Sequence, residues 1–503
     1  MESNKNKEAN HSVSRPMAIC RYGNFVVITF LSLYFFLLPF CLMIYYLTDL
    51  ALKQEQIPRL AFRLHRSLST KYEKWARQRV AKGYAEKLPL GDIAGTEWPL
   101  FGSVFYLLAS ESLQEAWGEG KNPASVAPNV YAKGAIEAAA ALVADPGHAG
   151  WVKHHWGEDY LHRENIFYRM LLISALTSYQ KLLGDEKYMP LLRDQVESLS
   201  NELDESPLGL LDDYPKQCYP TDVVAAIAAI RRADKVLGTD HSDFVKRSLR
   251  AFQGKLLDTT GLPPYMADAK SGYIDISRGC SSQWITVWVP QLWPDKAKQF
   301  YDSFEKHFWQ RRWGAVGFRE FTKQSMISNW YMDVDSGPVV AGFGSSATAF
   351  GLGAARVNGR FDHAYPLGAE LIIASWLLPD GSLLIPRLLS NSTDAPYLGE
   401  TGVLFVLTRV PHEGTVITKG SYLPLLVFCA LALYAVIGFL LVLIALITLR
   451  RWKKRIAKDR LPYGSVQVAV WISLSLIGVI LCVTYELRYG LLLILLAQLL
   501  PRG

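Results

Sequence analysis

Trp330-Tyr-Met-Asp-Val-Asp-Ser-Gly-Pro338, followed by the Gly/Ala/Ser-rich run 339–355, is the stretch on which the reading of this chain turns. In an extended backbone, positions i and i+2 project to the same side. Asp333 and Asp335 then share one wall, with Trp330 and Tyr331 beside them. The run that follows has glycine at 337, 342, 344, 351 and 353. A glycine in a helix costs about 1 kcal/mol relative to alanine, so a helix over 337–356 implies close packing that compensates. The pattern predicts an inner helix of a crowded helical domain, with the Asp pair at its mouth. A plainer reading is an Asp/Ser N-cap ahead of a buried helix, and the two are compatible.

Outward from that stretch the apolar residues recur at three- and four-residue spacing. An amphipathic, Arg/Lys-rich helix is expected over 57–85. Thr96-Glu97-Trp98-Pro99 precedes an apolar helix over 100–110, with Thr96 as a cap and Pro99 tolerated in the first turn. Further helices are expected over 132–143, 164–183, 189–202, 219–237, 243–256, 281–292, 295–309 and 361–378, and a short hairpin over 263–274. No repeat of fixed period occurs, which argues against a solenoid. An all-α closed toroid of helical hairpins is the expectation, with loops at one end aiming side chains into a funnel.

Half of the 503 residues are hydrophobic and 20% are charged, and the mean hydropathy is positive. The excess is localised in apolar runs over 25–47, 422–449 and 466–483, each near or above the ~18–20 residues that cross a bilayer. A fourth run, 491–500, is too short for a confident crossing. Lys5, Lys7, Arg15 and Arg21 flank the first run, and Arg450-Arg-Trp-Lys-Lys-Arg-Ile-Ala-Lys-Asp-Arg460 separates the second from the third. The positive-inside rule puts both segments in the cytoplasm, and a single crossing between each and the middle puts the middle outside. The expected organisation is a cytoplasmic N-terminus (1–23), a transmembrane helix (24–48) and an exterior domain (50–415). A second transmembrane helix (421–449), a basic cytoplasmic loop (450–462), a third transmembrane helix (464–485) and a short apolar C-terminal segment (488–503) follow. The expected location is a bacterial inner membrane with the large domain on the periplasmic side. The net charge of +7 sits largely beside the membrane segments and does not imply nucleic acid. Membrane-protein partners or a homo-oligomer remain open. Cys218 and Cys280 are the two cysteines of the exterior domain, either bridged or free.

Several tracts in order resemble a known family: His162-Arg-Glu-Asn-Ile-Phe-Tyr168, Leu182-Leu-Gly-Asp-Glu-Lys-Tyr188, Cys218-Tyr-Pro-Thr-Asp222, Leu237-Gly-Thr-Asp240 and Asp333-Val-Asp-Ser-Gly337. Together they look like linalool dehydratase/isomerase over about residues 150–375. The resemblance implies an (α/α)6 barrel. It also implies a site of two cysteines, a histidine, an aspartate and a tyrosine. Cys218 stands where the first cysteine is expected, but Ile227 stands at the second and Met170 at the histidine. A site without that thiol and imidazole is not expected to run the family's hydration chemistry.

Acids precede or open the expected inner helices: Glu97, Glu164, Asp222 and the pair Asp333/Asp335. Converging on one mouth, they would have the raised or split pKa values that general acid–base catalysis uses, and paired carboxylates are the equipment of glycoside cleavage. Taken singly, each is explained by helix capping at ~0.3–1 kcal/mol. Tyr168, Tyr219 and Tyr331 accompany the acids as proton donors or as buried aromatics. Trp98, Trp284 and Trp330 offer flat faces for a sugar ring or simply fill the core. Arg278 and Arg319-Glu320 suit an anionic group or a salt bridge. His154, His155 and His162 among Glu158, Asp159 and Glu164 match no established metal-ligand spacing. Gly342-Phe-Gly344-Ser-Ser-Ala347 has no room before it for the strand a dinucleotide fold requires. No Walker motif, nucleophile elbow or CxxC occurs, so no cofactor is expected. The expected activity is acid–base chemistry on an envelope or extracellular glycan. A lyase or isomerase reaction on a small alcohol or lipid-like substrate using Cys218 is the alternative, and a non-catalytic scaffold is the third.

Overall fold

The computed structural model describes residues 24–120, 125–272, 274–327, 329–391, 394–456, 465–483 and 487–499. The expected cytoplasmic N-terminus (1–23) and residues 457–462 of the expected basic loop lie outside the described residues. The chain is mostly helical and divides into two compact units. One comprises Tyr46–Ser375 with Asp380–Val427, and the other Met1–Tyr45, Trp376–Pro379 and Phe428–Gly503.

The larger unit carries the longer helices α1 (Arg59–Ala81), α2 (Trp98–Gly118), α3 (Lys133–Val143), α4 (Ile166–Leu183), α5 (Met189–Glu205), α6 (Pro220–Leu237), α7 (Gly279–Leu292), α8 (Pro294–Phe308), α9 (Ser345–Val357), α10 (Phe361–Ser375) and α11 (Leu398–Leu407). Two kinds of burial divide them. In α1, Leu60, Leu64, Leu68, Tyr72 and Ala76 form one buried stripe at helical spacing, and in α8 Phe300, Tyr301, Phe304 and Phe308 do the same. In α7 almost every residue is buried, and in α2 the whole run from Gly102 to Glu111 is. A helix apolar on all sides has neighbours on all sides. Accordingly α2 packs on α4, α4 on α6, α6 on α7, α7 on α9, α9 on α11, and α11 returns to α2. Between most of these stands a covering helix packed on its predecessor: α3 on α2, α5 on α4, α8 on α7 and α10 on α9.

Two small sheets interrupt the helices, which the periodicity did not predict. β1 (Trp309–Arg312) pairs antiparallel with β2 (Ala315–Phe318) through a Trp313-Gly314 turn, both residues at positive φ. β3 (Tyr331–Asp333), β4 (Gly337–Val340) and β5 (Phe343–Gly344) form the second sheet. The expected helix over 337–356 therefore begins only at Ser345. Positive φ at Gly337, Ala341 and Gly342 breaks any helix before it. No side chain caps α9, whose preceding residue is Gly344, so the Asp/Ser cap is not what this motif makes. Thr96 does not cap α2 either. It lies in the preceding turn Ile93–Thr96 and its hydroxyl donates back to the Asp92 carbonyl (2.8 Å). The expected hairpin over 263–274 reduces to single bridges, Cys218 with Ala267 and Ala267 with Ile274.

In the smaller unit the Ser32 hydroxyl donates to the Gly438 carbonyl (2.7 Å), where a Cβ would run into Leu37. The Trp376 indole N–H donates to the Phe35 carbonyl (2.6 Å). Among the described residues, two helices are long and apolar enough to cross a membrane, Asn24–Leu47 and Leu425–Arg450. The third expected span is the helix Ser465–Val483, and the last apolar run is the helix Leu487–Leu499.

Candidate active site

The N-terminal ends of α2 and α6, the loop before α6 and the turn between β3 and β4 place four carboxyls, Glu97, Asp213, Asp222 and Asp335, each within electrostatic reach of at least one other. Glu97 is the residue before α2. It accepts a short hydrogen bond from the Tyr214 hydroxyl, 117 residues further along the chain. Tyr214 is set by a tight turn in which the Gln217 amide donates to its carbonyl (2.8 Å), with Lys216 at positive φ. Its ring lies between Trp151 (5.7 Å) and His155 (5.4 Å). Burial, reinforced by the charge of Asp335 and opposed by the tyrosine bond, raises the Glu97 carboxyl to about 7.

Asp222 lies in the first turn of α6 and Asp213 on the loop before it. Asp213 is buried and accepts the Tyr219 amide (2.7 Å), while its other oxygen has no partner. Burial, then the charge of Asp222, pushes Asp213 well above the usual carboxylate range. Burial, then Asp335 and Glu97, does the same to Asp222. Like charges gathered in a poorly solvated place cannot all ionise, so protons stay on the group. Asp335 is exposed on one side and accepts the Tyr265 hydroxyl in a short bond. The protein around it, more than that bond, sets its carboxyl and raises it. The Tyr219 ring meets Tyr265 edge-on at 5.3 Å, and its phenol is pushed up to about 12 by burial and by Asp335. Among the described residues no Lys, Arg or His lies within 4.0 Å of these four carboxyls.

A second set of acids is neutralised. Arg278, just before α7, donates from Nε to Glu320 (2.7 Å) and from Nη2 to Asp333 (2.7 Å), with its guanidinium over the Tyr265 ring at 4.3 Å. Burial acts to raise Asp333, but the Ser336 amide and hydroxyl with Arg278 outweigh it and hold the carboxyl below its usual value. The Tyr331 hydroxyl donates to Asp333 (3.0 Å). Asp333 and Asp335 thus differ: one pairs directly with Arg278, while the other feels its charge without a salt bridge and lies with the first group of carboxyls.

Further along α2 from Glu97 lies an aromatic cluster. Phe101, one turn after Glu97, lies 5.6 Å from the Trp284 ring and 5.9 Å from Phe167. Phe105 continues this cluster against Phe350 (5.1 Å) and Phe405 (5.0 Å). Phe101, Phe167 and Phe350 keep accessible surface in the midst of buried neighbours, and the Trp284 indole N–H is unpartnered.

Other expected residues fall elsewhere. Tyr168 is buried with its hydroxyl on the Val143 carbonyl (3.3 Å), packed between Trp151 and Tyr160, because its position on α4 turns it away from the carboxyls. Glu164 accepts the Asp212 amide (3.0 Å) and holds the loop that carries Asp213. Trp98 is half-buried in the first turn of α2, and Trp330 is 65% exposed. Cys218 and Cys280 are both free thiols. Cys218 is fully buried and its thiol is pushed well above its usual pKa by burial and by Asp213. Ile227 and Met170 are buried core residues. His162 pairs with Asp159 (3.2 Å) and Asp194 (3.1 Å) at the surface, and among the described residues no three His, Cys, Asp or Glu side chains gather as a metal ion requires. Asp213, Tyr214 and Tyr265 were missed. Asp213-Tyr214 shows only as an acid and a phenol in a loop, the composition of an ordinary turn. No family model matches this chain, and no curated protein is similar to it.

Proposed function

We propose that the larger unit is an (α/α)6 barrel of the kind the linalool dehydratase/isomerase resemblance implies. In this reading it is held outside a bacterial inner membrane and does acid–base chemistry on a neutral, hydroxyl-bearing glycan of the envelope. The closed sequence of neighbours α2, α4, α6, α7, α9 and α11 supports the barrel, and the apolar helices support the anchor. The observation that carries the activity is the set of four carboxyls with no salt-bridge partner among the described residues, two of them bound to phenols and only Asp335 within reach of a guanidinium, that of Arg278. A group near 7 serves as acid or base at neutral pH. Glu97 is that group. Asp222 holds a proton for the departing oxygen, and Asp335 with Tyr265 takes one from water or from carbon. Hydrolysis, elimination and epimerisation all need this pairing. Tyr219, Trp330 and Tyr331 give the rim aromatic faces for a sugar ring.

The aromatic cluster from Phe101 to Phe405 favours a second reading, a lyase or isomerase on an alcohol with an apolar body. The same acids would protonate the hydroxyl, lose it as water and remove a carbon-bound proton. The inaccessible Cys218 thiol would not take part. The deciding experiment exposes the full-length chain in detergent to envelope polysaccharides and to terpenoid alcohols, with Glu97→Gln and Asp222→Asn as controls. Turnover of one class that both variants lose supports the matching reading. Turnover of neither class, with both variants intact in cells, leaves the non-catalytic scaffold.

A further inference from the structure

A cavity of ≈ 480 Å³ lies among the C-terminal halves of α2, α4, α6 and α7. Glu111 on α2 is one of its walls, about 21 Å along the helix from Glu97 at ~1.5 Å per residue, so the two sites are separate. The Glu111 carboxylate receives both Lys181 and Arg232, and the Ser178 hydroxyl (2.7 Å). Arg232 keeps its Nη1 buried and without a partner. Arg409 donates only to neutral acceptors: the carbonyls of Leu108 (3.1 Å) and Phe405 (3.2 Å) and the hydroxyl of Ser112 (2.8 Å). Burial, then the charge of Arg232, lowers the Arg409 guanidinium to about 10. The other acids of the lining are Glu115, 3.8 Å from Lys181 with its side chain 62% exposed, and the exposed Glu413.

Basic residues at helix C-termini complement the helix dipole, which accounts for Lys181 in the last turn of α4 but not for Arg232, which lies before the last turn of α6. It does not account for two neutral donors on α7 that line the same cavity. The Trp288 Nε1 and Gln291 Nε2 groups are buried without an acceptor, and Trp288 is 5% exposed. An unmade buried hydrogen bond costs about 1–3 kcal/mol, and three unmade donors on residues that line one cavity, one of them on Arg232 itself and with the Arg409 guanidinium beside them, suit an acceptor-rich, negatively charged guest. Leu108, Val287 and Val357 supply apolar lining.

We propose that this cavity binds a small organic anion, a carboxylate or phosphate monoester, with its charged head between Arg232 and Arg409 and its apolar body on Trp288, Val287 and Val357. Guanidiniums suit both heads. The test is calorimetric titration of the full-length chain in detergent with hexanoate and, separately, phenyl phosphate, using hexan-1-ol as the uncharged control. Expected is saturable one-site binding of at least one anion and none of the alcohol; the arm that binds names the head group. Arg232→Gln weakens binding about tenfold or more. Val357→Trp, which fills the space without touching a charge, abolishes it. Glu97→Gln leaves it unchanged, so the result does not depend on the catalytic proposal. Absence of binding by both anions, or binding undiminished in both Arg232→Gln and Val357→Trp, overturns the proposal.

Discussion

At the scale of single residues, the proposed chemistry rests on carboxyls without salt-bridge partners. Glu97, raised to about 7, gives the native state a proton that the unfolded chain releases at lower pH. The native state therefore binds more protons between the ordinary carboxylate pKa and about 7. Stability from this group is full below that window and is lost as pH rises through it. Glu370, raised to about 7 by burial against the opposing Val316 amide, acts in the same direction. Glu97→Gln, which still accepts from Tyr214, should reduce the difference in urea-unfolding midpoint between pH 5 and pH 8. It should also lower turnover by about 10²–10⁴-fold and remove the limb of the pH–rate profile near neutrality. Asp222→Asn removes a carboxyl whose ionisation the site opposes. It should raise the thermal midpoint at pH 8 while turnover falls, the trade expected of a site strained for function. A lower midpoint would mark Asp222 as a structural residue. Cys218→Ser should leave turnover per folded molecule within a few-fold, since the thiol is fully buried and its ionisation is opposed; a large loss would return the thiol to the mechanism.

At the scale of elements, the junction between α7 and the β-hairpin sets the Arg278 clasp. The Gly279 amide donates to the Glu320 carbonyl (2.7 Å), and a Cβ at Gly279 would be driven into the Arg319 carbonyl oxygen. Backbone cannot rotate away as a side chain can, so Gly279→Ala should cost about 1–3 kcal/mol and loosen Arg278 from Asp333 and Glu320. Gly118→Ala, in the last turn of α2 with open space around it, should instead stabilise by about 0.4–1 kcal/mol. Chemical denaturation of the pair checks both signs. The helices themselves were readable from spacing, and so were acids standing ahead of inner helices. The sheets were not. Trp309–Arg312 and Ala315–Phe318 are too short to show a period of two, and their pairing follows from a two-residue turn at positive φ.

At the scale of the whole molecule, the basic flanks predict an exterior position for the larger unit. Lys246→Cys, at an exposed position, should react with a membrane-impermeant maleimide in intact spheroplasts. Labelling only after lysis would reverse the predicted orientation. Hydropathy and charge along the chain determined the apolar spans, the helical class and the candidate acids Glu97, Asp222 and Asp335, because each is a local property of sequence. Tertiary structure alone decided which acids come together. Glu97 finds Tyr214 at a separation of 117 residues and Asp335 finds Tyr265 at 70, distances over which no periodicity carries information. It also decided which carboxyls stay protonated. That depends on burial and on whether a cation such as Arg278 is near, and both are properties of the assembled surroundings rather than of the residue.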